Sequence, residues 1–113
     1  MRAGGENRVG SAVLVVADDA RILALAEATL ASKGHVVLLA GDAQAAEHFL
    51  TQSQIPVRSV AIRAGISFYE KVRELSQRVG AKAWTFHCHV DDRGVSMEGL
   101  DSGADWESPA FGA

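Results

Sequence analysis

Three groups of residues in this 113-residue chain have types and spacings suited to chemistry. The first is Asp18-Asp19, directly after the apolar run of residues 12–17. Acids at the carboxyl end of a buried strand lie where open α/β sheets bind ions and nucleotides. The simpler role is an N-cap that complements the dipole of a following helix. The second group is His87-Cys88-His89. Alternation along a strand puts both imidazoles on one face and the thiol on the other. Two imidazoles with Asp91 or Asp18 would suit zinc, but no ligand pair has a recognised zinc spacing, so no metal is expected. Flanking imidazoles would lower the pKa of Cys88 and favour a thiolate nucleophile. The simpler role is an inert, partly buried thiol. The third group is Arg58 and Arg63, which interrupt an otherwise apolar strand. A guanidinium there calls for a partner acid, Asp18 or Asp19.

The elements that must position these residues follow from the apolar pattern. Residues 12–17 form a continuous β-branched and aliphatic run, the mark of a strand buried on both faces. Between residues 20 and 33, Ile22, Leu25, Ala26, Thr29 and Leu30 recur at helical spacing, and Gly34 closes the helix. Residues 35–40 form a second strand, and Asp42 caps a helix carrying Ala46, Phe49 and Leu50 inward. Residues 57–63 form a third strand. Ser67 and Glu70 have capping-box spacing before a helix with Tyr69, Val72, Leu75 and Val79 on one stripe. Residues 83–90 form a fourth strand, followed by a short helical piece around residues 95–102. Strand and helix thus alternate, which specifies an α/β, doubly wound parallel sheet. The alternation stops one strand and one helix early, as if truncated after the fourth strand and a short helix. Residues 1–11 read as a flexible leader, residues 12–105 as the domain and residues 106–113 as an irregular tail. Trp106 and Phe111 in that tail, with Trp84 and Phe86 in the fourth strand, are candidate interface residues.

Composition bounds the partners. With 48% hydrophobic and 22% charged residues, the chain has the balance of one globular domain. A net charge of −3 leaves no footprint for nucleic acid or an anionic membrane, so direct binding to either is not expected. No apolar run reaches membrane-spanning length, and residues 1–10 lack the apolar segment of a secretory signal. A single cysteine excludes an internal disulfide. These features predict a cytoplasmic location. No glycine-rich phosphate loop precedes the first helix, which disfavours a dinucleotide site; no cofactor is expected.

Four fragments, in order, resemble the receiver domains of response regulators: Val13-Leu-Val-Val-Ala-Asp-Asp-Ala-Arg-Ile22, Gly34-His-Val-Val-Leu-Leu-Ala-Gly-Asp-Ala43, Gly65-Ile-Ser-Phe-Tyr-Glu-Lys-Val-Arg-Glu-Leu75, and Asp91-Asp-Arg-Gly with Glu98-Gly-Leu-Asp-Ser-Gly-Ala-Asp105. The resemblance covers about residues 12–111 and implies a CheY-like, flavodoxin-like fold. It also implies where phosphoryl transfer would occur. That reaction needs an acidic pair for Mg²⁺, an acceptor aspartate ending the third strand, a hydroxyl ending the fourth and a lysine ending the fifth. Here the first acidic position falls on Ala17, leaving Asp18, with Asp19 beside it, as a vestige of the pair. The acceptor position falls among Val60, Ala61 and Ile62, and no aspartate occurs from Phe49 to Val90. The hydroxyl position falls on Cys88, and Lys82 is the last lysine. The resemblance therefore implies the receiver fold without its reaction.

The resulting expectation is a phosphorylation-independent pseudo-receiver, not an enzyme, acting in signal transduction or transcription regulation. It would work through a protein partner or self-association, as in a dimer. Arg63, paired with an acid, would lock the switch that phosphate normally works. A weaker resemblance supplies the alternative. Val79-Gly-Ala-Lys-Ala-Trp-Thr-Phe-His-Cys88 with Arg93-Gly-Val95 is similar to sulfur-relay carriers of the DsrE family. It implies a sulfurtransferase with Cys88 as persulfide carrier.

Overall fold

A computed structural model describes residues 12–100. The chain forms β1 (Ala12–Val16), α1 (Ala20–Ala31), β2 (Val37–Ala40), α2 (Ala43–Gln52), β3 (Val57–Arg63), α3 (Tyr69–Arg78), β4 (Lys82–Asp91) and β5 (Gly94–Glu98). The strands make one sheet in the order β2-β1-β3-β4-β5. The first four are parallel, and β5 runs antiparallel to β4.

Central position explains why β1 is apolar at every residue: it is flanked by β2 and β3 and buried along its whole length. β2, at one edge, is only partly covered. Alternation along the strands divides the core in two. Val13, Val15, Ala17, Ala61 and Phe86 meet Ile22, Ala26 and Leu30 of α1 on one face. Leu14, Val16, Val60 and Ile62 meet Ala46 of α2 and Val72 of α3 on the other. Each fully buried Leu, Ile, Val or Phe side chain contributes about 1.5–3 kcal/mol relative to exposure.

Local signals set most helix ends. Asp42 caps α2 by accepting from the Ala45 N–H at 2.7 Å, as its type and position predict. The expected Ser67–Glu70 capping box is not used. The N-cap of α3 is Phe68, with no side-chain cap bond, and Phe68 packs on the α2–α3 side of the core. Within α1 the inward stripe is narrower than expected, because Leu25 is 41% exposed and Thr29 bonds back to the Leu25 carbonyl.

The main correction concerns the end of the sheet. Residues 95–102 do not make a helix. Asp92 and Arg93 form a tight connection, and Gly94–Glu98 returns as a strand paired to β4 from His87 to Asp91. Val95 and Met97 are half-buried while Gly94, Ser96 and Glu98 are exposed, a period of two that a helix cannot satisfy. The turn is helped by the Arg93 N–H donating to Asp91 Oδ1 at 2.9 Å and by Gly94 at φ +124°, which favours glycine. The sheet is not truncated at four strands, and β4 is not its edge. No helix among the described residues is long and apolar enough to cross a membrane. The expected leader, Trp106, Phe111 and the tail of residues 106–113 lie outside the described residues.

Candidate functional site

Of the residues singled out in the sequence, Asp18, Asp19, Arg63 and Cys88 converge at the carboxyl ends of β1, β3 and β4. β1 delivers buried Ala17 and then Asp18 and Asp19, which take separate tasks. Asp19 caps α1, accepting from the Arg21 N–H at 2.8 Å, and pairs with the Arg21 guanidinium at 3.2 Å. These Arg21 hydrogen bonds hold the Asp19 carboxyl below the usual carboxylate range and raise the Arg21 pKa in turn.

Asp18 points to a different partner. Arg63, the last residue of β3, donates from Nη1 to Asp18 Oδ1 at 3.1 Å across 45 positions of sequence. Strand parity puts Arg63 on the same face as Ala61, the face covered by α1. Its side chain is 28% exposed and that of Asp18 is 52% exposed. Arg58, at the opposite end of β3, is exposed.

The Arg63 guanidinium also acts on the Cys88 thiol. Burial pushes the Cys88 thiol up from its ordinary value; the Arg63 guanidinium, by charge and hydrogen bond, pulls it down, and the Asp19 charge pushes it up. The net direction is upward, so the neutral thiol is favoured at neutral pH. Flanking imidazoles do not activate it: His87 and His89 are exposed on the other face of β4, and His89 Nε2 lies 3.8 Å from Glu98 Oε1. Cys88 instead packs beside Val95 and Met97 on the α1 face, opposite Met97 in the β4–β5 register. Among the described residues, no group of three or more His, Cys, Asp or Glu side chains could hold a metal ion.

The segment matched to the phosphoryl acceptor is apolar throughout. Val60, Ala61 and Ile62 are fully buried in β3, Val60 and Ile62 toward α2 and α3 and Ala61 toward α1. The two aromatics of β4 proposed for an interface serve the chain itself. Phe86 is fully buried. Trp84 is half-buried, and its indole N–H donates to the carbonyls of Gly99 and Leu100, both at 3.0 Å. That bond anchors the chain after β5 and helps to seat Leu100 in the core on the α1 side.

Sequence reasoning missed a hydroxyl pair. Tyr69, opening α3, is hydrogen-bonded through its phenol to Thr85 Oγ1 of β4. The available signal was parity: Thr85 shares the side of Ala83, beneath α3, where a half-buried tyrosine needs a partner for its hydroxyl. An open depression of about 420 Å³ beside α2 is lined by Asp42, Gln44, Ala45, His48 and Phe49, none of them a predicted site residue. Comparison with protein-family models, curated proteins and solved structures finds no match for this chain.

Proposed function

We propose that this chain is a receiver-like, flavodoxin-like domain that signals by protein–protein contact without being phosphorylated. The observation that carries the reading is the Arg63–Asp18 ion pair. The sheet order agrees with it, because 2-1-3-4-5 is the order of flavodoxin-like folds. The antiparallel β5 is a departure from that pattern.

The chemistry is one of substitution. A phospho-receiver gathers carboxylates around Mg²⁺ and offers one of them to the phosphoryl group. In this chain Ala17 supplies no carboxylate, and Val60, Ala61 and Ile62 offer no acceptor. Asp18 is matched by a guanidinium, whose charge is permanent and needs neither metal nor phosphate. Arg63 thereby holds the ends of β1 and β3 in one arrangement and removes the switch while keeping the surface. The proposed setting is cytoplasmic signal transduction or transcription regulation.

The test is exposure of the full chain to Mg²⁺ with acetyl phosphate and, separately, with beryllofluoride. The expected result is no phosphoryl adduct by mass spectrometry and no change in the amide NMR signals of Asp18, Arg63 and Cys88. An acid-stable, base-labile adduct, or a saturable shift of those signals, would overturn the reading.

A further inference from the structure

We propose that β5 is a dimerisation edge, pairing antiparallel with β5 of a second copy about a two-fold axis through Ser96. This inference rests on the interaction-module reading and names the partner as the same chain. Three features of the β4–β5 hairpin support it.

The first is which backbone groups face outward. The connection between β4 and β5 has two residues, so it closes on a hydrogen-bonded pair, Asp91 with Gly94. Alternation then makes His89–Ser96 and His87–Glu98 hydrogen-bonded pairs as well. The N–H and C=O groups of Val95 and Met97 therefore point away from β4. Among the described residues β5 is the last strand of the sheet, and in an edge strand these are the groups that template a further strand.

The second is self-complementarity. A two-fold axis at Ser96 sets Val95 opposite Met97 of the second copy, Ser96 opposite Ser96, and Gly94 opposite Glu98. Each Val95–Met97 pair exchanges two backbone hydrogen bonds, and the symmetry repeats the pair. An axis at Val95 would place Glu98 against Asp92 and leave outward groups facing a turn. An axis at Met97 would draw in Gly99, whose φ of +83° departs from strand geometry. Only the register centred on Ser96 pairs all of β5 with all of β5.

The third is continuity of the two faces. An axis perpendicular to the sheet keeps each face on its own side. Val95 and Met97 lie on the α1 face, half-buried beside Cys88 and Trp84. Across the axis they would meet the same pair, extending the apolar strip. Ser96 and Glu98 are exposed on the opposite face, where no like charges directly oppose one another. β5 carries no proline and no inward-facing charge that would guard the edge. The Trp84 bonds to Gly99 and Leu100 hold its far end in place.

The full chain is tested by light scattering on a size-exclusion column over a concentration series. The wild type is expected to dimerise. Ser96 faces its own copy and solvent, so Ser96→Lys and Ser96→Glu should each shift the chain to monomer while its circular dichroism is unchanged. Mixing the two variants should restore dimer. In a Cys88→Ser background, Ser96→Cys should cross-link under mild oxidation, because directly opposed positions lie within disulfide reach. Glu98→Cys, opposite Gly94, should not. A wild-type chain that stays monomeric at all concentrations overturns the proposal, as does a dimer that neither Ser96 charge variant weakens. Neither result bears on the phosphoryl test, so failure here and failure of the pseudo-receiver reading are separable.

Discussion

Replacing Arg63 by methionine keeps most of the side-chain length and removes the charge, which isolates the pair with Asp18. At 3.1 Å, two unit charges attract by about 1.3 kcal/mol in bulk water and about 5 kcal/mol at an effective dielectric of about 20. Solvent reaches both side chains, at 28% and 52% exposure, which favours the lower figure. Ordering two side chains offsets part of the attraction, as in other exposed pairs. The coupling expected is therefore about 0.5–1 kcal/mol. A double-mutant cycle with Arg63→Met, Asp18→Asn and both together, read by urea unfolding, separates this from lost packing of the arginine stem. Arg63→Met alone should cost about 1 kcal/mol, or about 4–8 °C in Tm for a domain of this size. The coupling should shrink at about 1 M salt, where the screening length is about 3 Å. A coupling near zero at low salt, or one that salt leaves untouched, refutes the claim that this ion pair links β1 to β3.

Other outcomes follow from individual contacts. Cys88 should react with Ellman's reagent more slowly than an unfolded-chain thiol at neutral pH, and Arg63→Met should slow it further by removing the group that lowers its pKa. Because folding raises the Cys88 pKa, its contribution is complete below the unfolded thiol value of about 8.5 and is lost as pH rises through the folded value. Wild type should accordingly lose stability more steeply than Cys88→Ser above about pH 8.5, as followed by chemical denaturation. Asp19 has the opposite sign: its lowered pKa contributes above the unfolded carboxylate value of about 3.9 and is lost as pH falls through the folded one, so Asp19→Asn should flatten the acid limb. Leu30→Ala, at a fully buried site in α1, should cost about 2–5 kcal/mol in thermal or urea unfolding. Leu25→Ala, on the same helix but 41% exposed, should cost far less. Asp42→Ala should cost about 1 kcal/mol through loss of the α2 cap.

The sequence by itself determined the features that local pattern can encode. The unbroken apolar run of β1 could be satisfied only at the centre of a sheet, and the Asp42 cap marked the start of α2. The range of β3 was legible to the residue, arginines included. So was the absence of any aspartate from Phe49 to Val90, since that is a property of composition. Parity along β4 separated the imidazoles from the thiol correctly. What tertiary structure alone decided involves contacts between distant residues. Val95–Glu98 is too short for its period of two to stand out, and its strand state depends on hydrogen bonds to β4. Helix α3 starts at Tyr69 without the Ser67–Glu70 box. The assignment of Arg63 to Asp18 while Asp19 turns back to Arg21 depends on where β1 and β3 end in space. The raised pKa of Cys88 has the same origin: adjacent imidazoles are near in sequence but on the wrong face, whereas burial beside Val95 and Met97 comes from a strand folded back over the sheet edge.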